Sequence, residues 1–487
     1  TTPILPPSPA SEHRRSSLED GFDQYISDVN WAQIFQVSLV TMGFLFEIQQ
    51  SFISIFTDAA PSWRCDNSDC RDSSDQCRIP PDSWSWSSPA TTSIISEWSL
   101  QCSGPLVNAL PSSSFFIGSL IGGFVVATIS DSKIGRKNTI VLSCLIMSVA
   151  GVLTALSGNI WTYSAFRFLA GLGRASVGAT GMVLGTEMVG KKLRDRIGII
   201  AYIWAPLGFI SLPGIAYWYR NDSWRWIYIW SSIPCLIYSF LVMFFGRESP
   251  RWLFLRRRRE EFERTIRYLA ASENKTATNN FFFTRWDEEE ECIETHAITI
   301  LLSKRWSFRR LAAVIMAGFG LGLVYYGLPL GLETLSFNIY LSVALNAASE
   351  IPAAILTFVF VGRFRRRILI LNLAVVSAIS SIVCGMVRFD RIQISLELAS
   401  FVAAVIAFDI FLIYVLELFP TCVRNTAMSI FRQAVMLGGA MGPLAAAAGK
   451  GNAFAIYAAA NALYGSMVIF LPETKGRIWA DTMDEEE

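Results

Sequence analysis

Two long apolar segments, residues 107–130 and 139–157, are separated only by a short polar turn that holds Asp131, Gly135 and Arg136. Each segment has about the 20 residues that a helix needs to cross a hydrocarbon core of about 30 Å. Two such segments in immediate succession are not typical of a soluble domain. The sequence therefore predicts two membrane-spanning helices joined by a tight turn.

The same pattern recurs along the chain, in which 52% of residues are hydrophobic and only 17% are charged. This composition, with a mean hydropathy of +0.40, is typical of membrane proteins. The net charge of +1 indicates no nucleic-acid partner. The candidate spans 1 to 12 cover residues 32–56, 107–130, 139–157, 161–183, 197–217, 226–246, 311–332, 337–361, 368–387, 396–418, 427–448 and 451–471.

Lysine and arginine predict the orientation, because they accumulate in cytosolic loops. Short loops on one side hold twelve of them and short loops on the other side hold five. Both termini are then cytosolic. The predicted domains are a polar N-terminal arm (1–31), a six-helix bundle (32–246), a cytosolic linker with surface helices (247–310), a second six-helix bundle (311–471) and a cytosolic tail (472–487).

The long loop at residues 57–105 faces away from the cytosol in this topology and carries Cys65, Cys70, Cys77 and Cys102. Four cysteines on that side predict two disulfides, with three possible connectivities. The alternative, free or metal-binding thiols, is disfavoured because no Cys-x-x-Cys and no histidine accompanies them. We predict neither a metal site nor a cofactor.

Three motifs recur at nearly constant spacing. Gly135-Arg136 recurs as Gly362-Arg363, Glu187…Arg194 as Glu417…Arg424, and the acid Glu248 as Glu473, at offsets of 227, 230 and 225 residues. Such agreement indicates two homologous halves of six helices each.

These residues resemble the major facilitator superfamily. The Asp131…Gly135-Arg136-Lys137 turn is similar to its loop signature, and Glu248-Ser-Pro-Arg-Trp-Leu253 with Pro472-Glu-Thr-Lys-Gly476 is similar to its sugar-porter and organic-ion branches. The cysteine loop and the segment 47–58 resemble the plant organic cation/carnitine transporters. The resemblance implies an all-α membrane protein of twelve transmembrane helices in two pseudo-symmetric six-helix bundles.

There are departures from the family pattern. Asp131 lies four residues before Gly135, where the signature has three, and the second-half copy lacks the acid. Animal cation carriers that resemble this chain place an acid where Met436 stands, so the charge of the substrate stays open.

Acids and bases near the inner ends of the spans are candidates for a conformational latch that holds the two halves together on the inner side, as the resemblance also implies. Simple anchoring by positive charge would explain the basic residues but not the spaced acids. The candidates are Asp131, Gly135, Arg136, Lys137, Glu187, Arg194, Glu248, Arg251, Glu417, Arg424 and Glu473.

Ionisable residues inside spans are costly and therefore mark candidate sites. The candidate substrate-binding residues are Glu47, Trp204, Tyr325, Tyr326, Asp409 and Arg432, since aromatic faces suit quaternary ammonium groups. We expect Arg432 to pair with Glu47 until a zwitterion replaces the pair. Arg167 and Glu350 are interpreted as lying toward span ends, with structural roles.

The predicted function is transport of organic cations or zwitterions such as carnitine by alternating access, with a coupled proton or other ion as a compatible partner. A sugar or organic-anion carrier and a transporter-like sensor are the alternatives. An intramembrane enzyme is disfavoured because the two histidines, His13 and His296, lie outside the spans. The expected location is the plasma membrane or the vacuolar membrane.

Overall fold

The computed structural model describes residues 30–66, 76–80, 83–130, 134–270, 301–302, 304–335, 337–420 and 423–475. Within these residues, twelve helical segments of membrane-spanning length follow the predicted order. We keep the numbers 1 to 12 for these spans, which cover Trp31–Thr57, Pro105–Ser130, Arg136–Ala155, Ile160–Glu187, Lys191–Trp218, Arg225–Phe245, Arg305–Leu330, Ile339–Arg363, Arg366–Met386, Asp390–Leu418, Arg424–Ala447 and Lys450–Ile469.

Two spans are interrupted. Span 1 consists of Trp31–Thr41, Gly43–Phe52 and Ser54–Thr57, and span 4 consists of Ile160–Arg174 and Val177–Glu187. Interruptions at membrane depth are tolerated where neighbouring protein satisfies the freed backbone groups. The break in span 4 creates a new helix start inside the first bundle.

Ten described spans are long and apolar enough to cross a bilayer. Within span 5 the segment Ile203–Trp218 is apolar, and span 11 contains Arg424 and Arg432. The predicted all-α membrane fold is confirmed, although several helices extend beyond their predicted bounds. Span 7, for example, begins at Arg305 instead of residue 311.

The two halves use the same packing pairs. In the first half span 1 packs on span 5, span 2 on span 4 and span 3 on span 6; in the second half span 7 packs on span 11, span 8 on span 10 and span 9 on span 12. Glycines permit the closest approaches: a Cβ at Gly118 would lie 2.0 Å from the carbonyl oxygen of Phe168. Across the junction of the halves, span 2 packs on span 11 and span 5 packs on span 8.

We call the end of the molecule that carries the segment between spans 1 and 2 the loop face. On it, the short strands Trp63–Cys65 and Trp84–Trp86 pair antiparallel and are followed by the short helix Ile94–Glu97. Cys77 and Cys102 form a disulfide, and Cys65 is also disulfide-bonded. Cys70 lies outside the described residues.

We call the opposite end, which carries the connection after span 6, the linker face. Two short helices, Pro250–Leu255 and Arg259–Leu269, lie there. The second helix buries Phe262, Ile266 and Leu269, and Gln33 of span 1 donates a hydrogen bond to the carbonyl of Leu269 (3.0 Å). The linker is thereby attached to the first bundle.

Alkylation of the unfolded protein without reductant should leave Cys65, Cys70, Cys77 and Cys102 unlabelled, because all four are disulfide-bonded in our interpretation. The free cysteines Cys144, Cys235 and Cys384 should be labelled in the same sample and serve as the internal control. Peptide mass spectrometry reads both sets. Recovery of two or more loop cysteines as alkylated thiols would contradict the prediction.

Candidate functional site

Arg174, at the break in span 4, is the centre of the candidate site. Its side chain is only 3% exposed, and Nη2 forms an ion pair with Glu47 of span 1 at 3.0 Å. Nη2 also donates to the hydroxyl of Tyr326 (2.8 Å), while Nη1 donates to Ser119 (3.1 Å) and contacts the sulfur of Met436 (2.8 Å). One guanidinium therefore joins spans 1, 2 and 4 of the first half to spans 7 and 11 of the second.

The interruption of span 4 gives the Glu47 carboxylate a second hydrogen-bond donor. Its Oε2 accepts the backbone N–H of Gly178 at 2.9 Å, in the first turn of the helix that restarts at Val177. Backbone N–H groups at a helix start favour a carboxylate. A Cβ at position 178 would lie 2.5 Å from the same oxygen, so only glycine allows this approach.

The predicted ion pair between Glu47 and Arg432 is wrong, because Glu47 pairs with Arg174. Arg432 is half-buried in span 11 and forms no ion pair with the part of the chain that is described. Arg174 takes this role because spans 1 and 4 belong to the same half. The sequence signal for Arg174 was available, since it is an arginine in the middle of the predicted span 161–183.

Tyr325 faces a different set of residues from its neighbour Tyr326. Its ring stacks on Phe408 with 4.8 Å between centroids, and its hydroxyl donates to Glu350 at 3.4 Å. Asp409 accepts a hydrogen bond from Thr357 (3.5 Å), which lies seven residues after Glu350 on span 8. Glu350 and Asp409 form no ion pair with any described residue.

The structure corrects the placement of Glu350. It lies near the middle of span 8 and is buried, instead of toward a span end. Sequence reasoning also missed Glu397 of span 10, which is fully buried and accepts two hydrogen bonds from the amide of Asn346 (3.1 and 3.3 Å).

Two other predicted residues stand apart from this network. Trp204 is half-buried, and its indole nitrogen has no hydrogen-bond partner within the described ranges. Arg167 is fully buried, donates to the carbonyl of Gln50 (3.0 Å) and lies 4.3 Å from the ring of Phe115. These contacts favour the predicted structural role of Arg167.

On the linker face, Arg136 pairs with Glu187 at 3.2 Å. Glu248 accepts the backbone N–H groups of Arg136 and Lys137, both at 3.1 Å, and so caps the start of span 3. Gly135 has φ of +86°, and a Cβ there would lie 2.4 Å from the Glu248 carboxylate. Burial raises the pKa of Glu248 above its ordinary value, although the backbone donors lower it in part.

The second half repeats this arrangement. Arg366 pairs with Glu417 at 3.2 Å, and Glu473 accepts the N–H groups of Arg366 (2.9 Å) and Arg367 (3.2 Å). Arg366 follows Arg136 by 230 residues, the same offset that relates Glu417 to Glu187. The counterpart of Arg136 is therefore Arg366, and the expected match to Arg363 was wrong.

These contacts differ from the predicted latch in one respect: each described pair lies within one half. Arg424 donates to the carbonyl of Phe419 (3.4 Å), also in its own half, and Arg251 is half-buried on the helix Pro250–Leu255. Asp131 and the side chain of Arg194 lie outside the described residues. The described pairs stiffen each bundle and do not join the two.

Aromatic rings meet between the halves near the loop face. Tyr340 of span 8 stacks on Phe56 of span 1 and contacts Tyr217 of span 5 edge-on, both with 5.6 Å between centroids. The guanidinium of Arg220 lies 4.2 Å from the Tyr217 ring. We call this contact the aromatic seam; it joins spans 1 and 5 of the first half to span 8 of the second.

Comparison with known proteins agrees with this architecture. The Major Facilitator Superfamily matches residues 84–443. Organic cation/carnitine transporters 3 and 2 of Arabidopsis thaliana are each 45% identical to this chain. The alignments span all of this chain and 97% and 96%, respectively, of the relatives. Organic anion transporter 3 of Oryctolagus cuniculus is 29% identical over 83% of the chain and 76% of its own length.

Among solved structures, the xylose transporter XylE of E. coli in its inward open conformation has a TM-score of 0.67 at 17% identity, and the match covers 94% of this chain and 99% of XylE. The paired bundles around a charged centre thus define a membrane transporter of the major facilitator superfamily. Within that superfamily the chain belongs to the organic cation/carnitine transporter family.

Glu47→Gln and Arg174→Gln should each lower the surface abundance of the protein, because removing one member of a buried ion pair costs about 3–5 kcal/mol. The double variant should recover abundance but not uptake. Quantitative surface labelling beside radiotracer uptake separates the two effects.

Glu97→Gln is the matched control. Glu97 pairs with Arg225 at 2.7 Å on the loop face, away from Arg174, so uptake per surface molecule should be unchanged. Full recovery of uptake by the double variant would show that the Glu47–Arg174 pair contributes to folding and not to transport.

Arg136→Ala and Arg366→Ala should slow transport several-fold and leave KM nearly unchanged, because these pairs stiffen the bundles without contacting the site. Loss of a charge-assisted bond worth about 1.5–3 kcal/mol is enough to shift a conformational equilibrium about tenfold or more. Arg264→Ala, which removes an exposed pair with Glu260, is the control and should be neutral. Wild-type turnover in both test variants would leave these arginines as membrane anchors.

Proposed function

We propose that this protein carries organic cations and zwitterions such as carnitine across the membrane by alternating access. The observation that carries the proposal is the pair Glu350 and Asp409, two carboxylates in the second half with no ion-pair partner in the described chain. The ring of Tyr325, stacked on Phe408, lies beside them. A quaternary ammonium group needs both features, negative charge and an aromatic face.

Arg174 provides the complementary charge for a zwitterion. Arg174 and Glu350 are linked through two adjacent tyrosines, since Tyr326 accepts a hydrogen bond from Arg174 and Tyr325 donates one to Glu350. The carboxylate of a bound zwitterion can exchange with Glu47 as the partner of Arg174, while the ammonium group binds near Glu350. The relatives named as organic cation/carnitine transporters support this class of substrate.

The runner-up is an organic-anion carrier. It is favoured by Arg432, a half-buried guanidinium without an ion pair among the described residues, and by the similarity to an organic anion transporter. Competition in proteoliposomes decides between the two. Tetraethylammonium, carnitine, p-aminohippurate and a hexose are each tested against labelled carnitine. Competition by p-aminohippurate alone would favour the anion carrier.

We further propose that the linker face is cytosolic and that the protein acts in the plasma membrane or the vacuolar membrane. The disulfide Cys77–Cys102 on the loop face supports an oxidising compartment on that side. The excess of lysine and arginine on the linker face supports the same orientation. Uptake measured at several pH values and sodium concentrations would identify a coupled proton or other ion.

Glu350→Gln and Asp409→Asn should each raise KM for tetraethylammonium about tenfold or more. A contact with a charged group contributes about 1.5–3 kcal/mol, and every 1.4 kcal/mol changes affinity tenfold. Tyr325→Phe should retain most binding, because the stack on Phe408 survives, whereas Tyr325→Ala should not.

Glu397→Gln is the matched control for this series. Glu397 is fully buried but bonds Asn346, and it lies twelve residues before Asp409 on the same span. Its KM should match the wild type at equal surface abundance. Wild-type KM in both Glu350→Gln and Asp409→Asn would exclude the carboxylates from the site.

A further inference from the structure

A groove of about 740 Å³ opens at the linker face, away from the candidate substrate site. It lies between the first turns of span 7, the start of span 9 and the end of span 12. Its lining includes Trp306, Phe308, Arg309, Arg367 and Phe470. Because span 7 begins at Arg305 and span 12 ends at Ile469, the groove lies at the depth where lipid headgroups meet the hydrocarbon core.

Arg309 and Arg367 bring positive charge to the groove. The guanidinium groups of Arg309 and Arg367 form no hydrogen bond or ion pair with the described part of the chain. Two described acids at this end of the second half already have other partners: Glu473 accepts the backbone N–H groups at the start of span 9, and Glu417 pairs with Arg366. A bound anion would therefore complement the charge of Arg309 and Arg367.

An aromatic ring adds to this lining. Trp306 is half-buried, and the guanidinium of Arg310 lies 4.5 Å from its ring. Tryptophan is typical of the membrane–water interface, where lipid headgroups lie.

The rim of the groove is apolar and exposed. Phe308, Ile469 and Phe470 are 54%, 50% and 74% exposed. At this depth such side chains contact acyl chains, so the occupant must combine an anionic head with apolar tails. Basic pockets at the cytosolic ends of membrane helices bind anionic lipid headgroups in this way.

We propose that the groove formed by Trp306, Phe308, Arg309, Arg367 and Phe470 binds one anionic phospholipid of the linker-face leaflet. Arg309 and Arg367 bind its phosphate group, and Phe308 and Phe470 contact its acyl chains. This site is independent of the proposed substrate site at Glu350 and Asp409.

Native mass spectrometry of the purified full-length protein, titrated with phosphatidylinositol or phosphatidylcholine, tests the proposal. The wild type should bind one phosphatidylinositol at least tenfold more tightly than phosphatidylcholine. Arg309→Gln with Arg367→Gln should weaken this binding about 25-fold, about fivefold for each arginine. Arg309→Lys with Arg367→Lys, which keeps both charges, should retain the preference and shows that the double site tolerates substitution.

Two further arms identify the occupant. Arg264→Gln with Arg267→Gln removes two exposed linker-face charges outside the groove and should leave the preference unchanged. Soluble glycerophosphoinositol, which has the head but no chains, should compete poorly. Strong competition by it would make the occupant a soluble phosphate compound and overturn the lipid assignment.

An acidic segment of this chain is another candidate occupant, since Asp481, Asp484 and Glu485–Glu487 follow span 12 in the sequence. Changing these five acids to amides should not alter phosphatidylinositol binding. A large gain in binding would mean that the tail fills the groove and would overturn the proposal. Equal binding of both lipids by the wild type would overturn it as well.

Discussion

A guanidinium group buried among membrane helices must be neutralised and hydrogen-bonded where it lies, and the contacts of Arg174 follow from that requirement. Taking an ion out of water costs several kcal/mol, which only well-placed partners offset. Glu47, Tyr326 and Ser119 supply them from three other spans. The interruption of span 4 also belongs to this arrangement, because it frees the amide of Gly178 for the second carboxylate oxygen.

Two adjacent tyrosines of span 7 connect the polar groups of the first half to those of the second. Tyr326 accepts the bond from Arg174, and Tyr325, turned by one residue on the same helix, bonds Glu350. Successive residues of a helix point in different directions, so neighbouring tyrosines can serve different partners. A ligand that displaces Tyr325 from Glu350 therefore acts on the same helical turn that contacts Arg174.

Much of this fold could be predicted from the sequence, because hydropathy, charge distribution and repeat spacing are local properties. The spans, the cysteine loop and the two halves needed no knowledge of packing. The ion pair of Glu47 did, since its partner lies 127 residues away and is selected by how span 4 packs against span 1. The match of Arg136 to Arg366 instead of Arg363 depends on where span 9 begins, which apolar content alone does not define. Glu47, Tyr325, Tyr326 and Asp409 lie along the observed network, whereas Trp204 and Arg432 have no described polar bond to it.

The aromatic seam has a consequence for how this protein tolerates sequence change. Its rings meet without directional bonds, and such pairs contribute only about 0.5–1.5 kcal/mol each. The bundles on either side are held by ion pairs and capped helix starts that do not involve Phe56, Tyr217 or Tyr340. Substitutions in the seam can therefore change the speed of the transport cycle without changing how much folded protein reaches the membrane, so the two properties are free to evolve separately.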